Sequence, residues 1–275
     1  MANYDPIYLS LNDEPRDIIA SMDEVVARRA KTTTTYQQRR WLPRALLLGG
    51  LFFLVLNFVL GYSGSLFIFV CIGWWIVAFV VWLALRRNRI GQRLAPEYDT
   101  AREVFFTLRD DVAPKKFFFG HLDLTGPQQT SKVARTAKNA LGRNVSFYRD
   151  EWLSLKAKLY DGNMLRVSAV QRMKVRDSYT KRSASGKLKM KSALVKDDRQ
   201  QLSVRLSVNP QVYDVATMRL MKPGTGIGTY TIVQCANEGG IVNVVANAAT
   251  SPVTATDIVS VLHAIYDQLQ RKTGA

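Results

Sequence analysis

Acid–base, nucleophilic or metal chemistry needs particular side chains, and this sequence is short of them. It holds two histidines, His121 and His263, and two cysteines, Cys71 and Cys235. His121 and Asp123 stand at i and i+2, which in a strand places imidazole and carboxylate on one face. There a carboxylate raises an imidazole pKa or fixes its tautomer. They form the only histidine–acid pair at such spacing and are the weak catalytic candidates, with no serine or cysteine nucleophile motif beside them. No CxxC or paired-histidine spacing occurs, so neither a metal nor another cofactor is expected. Cys235 sits in an expected strand and reads as a small core residue.

Two further motifs fail on their own mechanics. Pro223-Gly224-Thr225-Gly226-Ile227-Gly228-Thr229 is glycine-rich but lacks the Gly-Lys-Ser/Thr ending. A strand follows it where a phosphate loop needs a helix N-terminus, so it reads as a connector. Asn144-Val145-Ser146 matches a glycosylation acceptor by chance, given the compartment expected below.

The informative feature is basic. Arg172, Lys174, Arg176, Lys181, Arg182, Lys187, Lys189, Lys191 and Lys196 face a single acid, Asp177, between residues 172 and 196. Lys187, Lys189 and Lys191 alternate with Leu188 and Met190, so a strand there shows three ammonium groups on one face. Lys156 and Lys158 repeat the pattern around Ala157. Ser178 to Gly186 reads as an exposed loop between basic strands. The expected product is one concentrated cationic face that docks on anionic lipid headgroups or an acidic protein. Nucleic acid is the weaker partner, because Tyr179 is the lone aromatic residue inside the cluster.

The charge behind this face is unevenly distributed along 275 residues. The whole chain is +16; residues 1–24 are −5, residues 25–44 are +6, residues 86–208 are +15, and the remainder is neutral. Residues 45–85 carry no charge at all. Such a block, about twice the roughly 20 residues one crossing needs, predicts two transmembrane helices near 45–60 and 66–85, turning at Gly61-Tyr62-Ser63-Gly64-Ser65. Arginines flank the block on both sides, which predicts a multi-pass protein of the plasma membrane with both termini cytoplasmic. Asn57, the strongly polar side chain of the first span, is expected to hydrogen-bond a neighbouring helix. Gly49, Gly50 and Gly73 would allow close helix contact, leaving a homo-oligomer open.

Outside that block the pattern is mixed. Asn12 or Asp13 should cap a helix to about Arg29, within a cytoplasmic N-terminal segment of residues 1–44. Residues 86–275 should form a cytoplasmic α+β domain of mostly antiparallel strands. Its expected helices are Ala101–Arg109, Thr130–Leu141, Val212–Leu220 and Thr256–Gln270. Its expected strands include Phe117–Leu124, a hairpin turning at Asp161-Gly162, Leu188–Leu194, Leu202–Val208 and a second hairpin around Glu238-Gly239-Gly240. The expected function is a membrane-anchored binding or scaffolding module. The alternatives are a membrane-bound hydrolase or transferase using His121 and Asp123, and a membrane-tethered nucleic-acid binder.

Overall fold

A computed structural model describes residues 6–39, 41–59, 65–90, 95–214, 220–249 and 253–272. In chain order the elements are β1 (Tyr8–Asp13), α1 (Pro15–Arg39), α2 (Leu42–Val59), α3 (Ser65–Ile90), α4 (Pro96–Leu108), β2 (Phe118–Asp123), β3 (Val133–Lys138), β4 (Asn144–Lys158) and β5 (Met164–Arg176). They continue as β6 (Tyr179–Arg182), β7 (Leu188–Lys191), β8 (Leu194–Ser207), β9 (Tyr213–Asp214), β10 (Gly226–Ile227), β11 (Tyr230–Glu238), β12 (Ile241–Ala249), α5 (Ala255–Tyr266) and β13 (Gln270–Arg271). The chain divides into two units: residues 1–5 with 21–94, and residues 6–20 with 95–275.

The first unit contains most of α1 with α2 and α3. Trp74 donates its indole N–H to the Leu46 carbonyl across α2 and α3 at 2.6 Å. Gly49 and Gly50 leave room for the rings of Trp74 and Trp75, a place a larger residue would fill. Among the described residues no helix is long and apolar enough to cross a membrane. The expected transmembrane hairpin is therefore not seen, and the multi-pass plasma-membrane placement with cytoplasmic termini loses its basis. Freedom from charge measures composition and does not by itself make a helix with the length and apolarity of a crossing. The 18 residues of α2 rise about 27 Å and open on Leu42-Pro43-Arg44. Arg86, Arg87 and Arg89 occupy the end of α3. Residues 61–64 of the expected turn and the side chain of Asn57 lie outside the described residues, as does the centre of the helix expected at Val212–Leu220.

The second unit is built on a nine-stranded antiparallel sheet, in the order β1-β2-β4-β5-β8-β12-β11-β10. The 15-residue β4 is long enough for β2 to pair with its second half and β3 with its first. One face is apolar, as period-two alternation requires. Leu155, Val167, Val204 and Val244 lie in register across β4, β5, β8 and β12, as do Leu153, Ala169, Leu202 and Ala246. All eight are buried. Helices cover this face with residues at helical spacing: Tyr98, Ala101, Val104, Phe105 and Leu108 from α4, and Ile258, Val261, Leu262 and Ile265 from α5. Pro96 opens α4, and a reciprocal box of Thr254 and Asp257 caps α5.

The helix expected at Thr130–Leu141 does not form. A short 3-10 turn at Thr130–Lys132 leads instead into β3, whose backbone pairs with β4. An unpaired sheet edge outweighs a local helical preference that no apolar face supports. The glycine-rich connector contributes only the two-residue β10, and Gly228, at φ +58°, lies against the Asp257 carboxylate. An acid beside the loop is the wrong company for phosphate.

Candidate anion-binding surface

The sheet face opposite the helices is polar and cationic. On β5 the even-numbered residues Arg166, Ser168, Arg172, Lys174 and Arg176 project to it. Register then aligns charge across strands. Arg149, Arg172 and Arg199 form one row over β4, β5 and β8, and Lys156, Arg166 and Arg205 form another. All six are exposed. Ser154, Ser168 and Ser203 lie in register between the two rows. Like charges on adjacent strands oppose folding, so these rows are retained against a local cost.

At one end the face dips into a basin of about 430 Å³. Arg135, Arg149, Arg172, Lys174 and Arg199 line it with one acid, Asp197. Arg199 pairs with that acid at 3.0 Å. Arg149 and Arg172 make no ion pair among the described residues. The guanidinium of Arg135 lies 4.5 Å from the centre of the Phe147 ring and the Lys174 ammonium 5.4 Å, a cation–π arrangement that holds both charges over the basin. Tyr179 is held similarly between Arg143 at 3.8 Å and Arg176 at 4.8 Å.

Beyond this end β6 and β7 form a separate two-stranded sheet. Lys181 faces Lys189 directly, and Tyr179 faces Lys191, on one side of the ribbon. Thr180 faces Met190, and Arg182 faces Leu188, on the other. Lys187 sits in the turn, where the Ser183 N–H donates to its carbonyl at 2.8 Å. The structure thus distributes the nine basic residues singled out from sequence over neighbouring surfaces. Arg172, Lys174 and Arg176 belong to the sheet face, five to the hairpin, and exposed Lys196 to the start of β8. Sequence reasoning missed Arg135, Arg149, Arg166, Arg199 and Arg205. The polar run Asp197, Arg199, Gln201, Ser203, Arg205 at alternate positions was the available signal for two of them.

His121 and Asp123 share a strand but not a hydrogen bond. The His121 ring stacks on Tyr8, with centroids 6.0 Å apart, and its Nε2 lies 3.3 Å from the Glu151 carbonyl oxygen. Asp123 accepts from the backbone N–H of Thr125 at 3.0 Å, from the Thr125 hydroxyl, and from Lys132 at 2.9 Å. Burial raises the Asp123 pKa, but these donors together outweigh it and hold the carboxyl below its usual range. Lys132 also reaches Asp150, which burial drives upward against that partner. Glu97 on α4 is likewise raised, first by burial and then by the charges of Asp150 and Asp198. Among the described residues no group of acids, histidines or cysteines is arranged to hold a metal.

Another concavity, of about 440 Å³, lies beside α5 and is lined in part by Tyr160, Tyr213, Tyr266 and Arg271. Its inner carboxylate, Asp161, is already satisfied. It accepts from the hydroxyls of Tyr213 and Tyr266 at 3.1 and 2.8 Å and from the Asn163 side chain at 2.7 Å. That network ties the β4–β5 turn to α5 and β9.

No protein-family model matches the chain, and neither a curated protein nor a solved structure does.

Proposed function

We propose that the second unit is a binding module whose cationic sheet face and hairpin dock an acidic segment of a partner protein. The observation that carries this reading is the row Arg149, Arg172, Arg199, which sets three guanidinium groups side by side with one intramolecular acid among them. Guanidinium forks bind carboxylates bidentately, and a row of them suits a run of acidic side chains. A polyanion would relieve the repulsion that the row imposes on the free protein. Base stacking is poorly served, because Phe147 and Tyr179 already carry cations.

The test is fluorescence anisotropy of the full-length protein with a labelled oligoglutamate peptide, titrated at several salt concentrations. Binding should weaken steeply with salt and fall about tenfold or more when Arg149, Arg172 and Arg199 are all replaced by Gln. Single-stranded oligonucleotide and anionic vesicles serve as competitors. If either binds more tightly than oligoglutamate at equal ionic strength, or if the triple variant binds as well as the parent, this reading fails.

A further inference from the structure

Among the described residues no third strand pairs with the β6–β7 ribbon, and its chemistry specifies what would supply one. Among the described residues β7 pairs only with β6, so its other edge presents unpaired backbone donors and acceptors. Proteins normally block such an edge, because it templates pairing with further chains. Here β7 is Leu188-Lys189-Met190-Lys191, with Leu188 and Met190 exposed by 70% and 76%. On one side of the ribbon β7 therefore offers two bare apolar side chains, beside Thr180 and Arg182 of β6, and on the other it offers Lys189 and Lys191 together with Tyr179 and Lys181 of β6. A second copy of this chain is a poor occupant, since pairing two β7 edges would bring lysines against lysines or, one residue out of register, against Leu188 and Met190. An acidic strand meets no such penalty. It would neutralise the Lys181–Lys189 repulsion already present in the ribbon.

We infer that β7 is a docking edge on which an extended peptide adds as a third strand, one that alternates acidic with apolar residues. The inference rests on the proposed acidic partner and adds the mode of binding. Main-chain hydrogen bonds hold the peptide, while the alternation of β7 selects its side chains: carboxylates on the lysine side, apolar residues on the Leu188 and Met190 side. A one-residue slip would set carboxylates against Met190 and apolar groups against lysine, so the register is specified.

Three ten-residue peptides separate the possibilities on the full-length protein: strictly alternating Glu and Val, the same composition as a Glu block followed by a Val block, and the alternating peptide with every second amide N-methylated. The alternating peptide should bind about tenfold more tightly than either of the others and should slow hydrogen exchange at the amides of residues 188–191. Equal binding by the N-methylated peptide would overturn strand addition while leaving charge-driven docking intact. Absence of binding by all three would overturn both proposals. The double variant Lys189→Glu, Lys191→Glu should lose the Glu–Val peptide and gain a Lys–Val one. A variant that binds neither, yet keeps the hydrogen-exchange protection of β6 and β7, would also count against the inference.

Discussion

Lys132 Nζ lies 2.7 Å from Asp150 Oδ1 and 2.9 Å from Asp123 Oδ2, with Asp150 buried and Lys132 partly so. The lysine thus ties the segment after β2 to the middle of β4. Removing it as Lys132→Met would leave Asp150 without its cation, at a cost of about 3 kcal/mol. Urea denaturation at pH 7 checks this. The deficit should shrink as pH falls from 7 toward the acid range, because Asp150, already raised by burial and now without its cation, protonates above its ordinary carboxylate value. A deficit independent of pH would mean that packing, not charge, holds the segment.

Glu97 gives a separate pH signature. Its folded pKa is raised, so its favourable contribution is complete below the unfolded value, near 4.3, and is lost as pH rises through the folded value. Glu97→Gln should therefore leave stability at pH 4 nearly unchanged and increase it at pH 7, as thermal melts across that range would show. Asp123 has the opposite sign: its lowered pKa makes its contribution disappear as pH falls below about 4.

Gly120 has φ +139°, and a Cβ built there would run into the Ser154 carbonyl oxygen of the neighbouring strand. No side chain is compatible with that approach. Gly120→Ala should cost about 3 kcal/mol through strain and overpacking, read as a fall in urea midpoint with the slope unchanged.

The arginine row predicts that binding and stability part company. Arg172→Gln should reduce affinity for oligoglutamate severalfold yet leave stability unchanged or raised by about 0.5 kcal/mol, because it removes like-charge repulsion across β4, β5 and β8. A paired calorimetric and anisotropy measurement decides. A clear loss of stability would mean that the side chain serves the fold.

At the start of α5, Asp257 accepts the backbone N–H of Thr254 at 3.0 Å and the Thr229 hydroxyl at 3.2 Å. Asp257→Ala should cost about 1 kcal/mol, measured as a drop in melting temperature. Thr254→Ala should cost a similar amount, and the double variant less than the sum, since both residues belong to one cap.

Much of the second unit was legible in the sequence for local reasons. Asp161-Gly162 marks the β4–β5 turn because Gly162 must adopt φ +85°. Apolar alternation locates β5, β8, β11 and β12 because one face of each strand is covered. Thr130–Leu141 was misread because its fate depends on the free edge of β4, which is not encoded within those twelve residues. The uncharged block was misread because absence of charge does not report whether a helix reaches the length and apolarity of a crossing. The side chain of Asn57 and residues 61–64 of the expected turn lie outside the described residues and bear on neither point.

The sequence by itself determined the amount of charge and its alternation, but not the single cationic face expected of residues 172–196, whose cations fall on the sheet face and on both sides of the β6–β7 ribbon. Only the tertiary structure decided which cations become neighbours. Arg149, Arg172 and Arg199 are far apart in the chain, and antiparallel register alone sets them in one row. It likewise separated His121 from Asp123 by giving each other partners. Periodicity is a local property of the chain, whereas register and hydrogen-bond competition are settled between segments that meet only after folding.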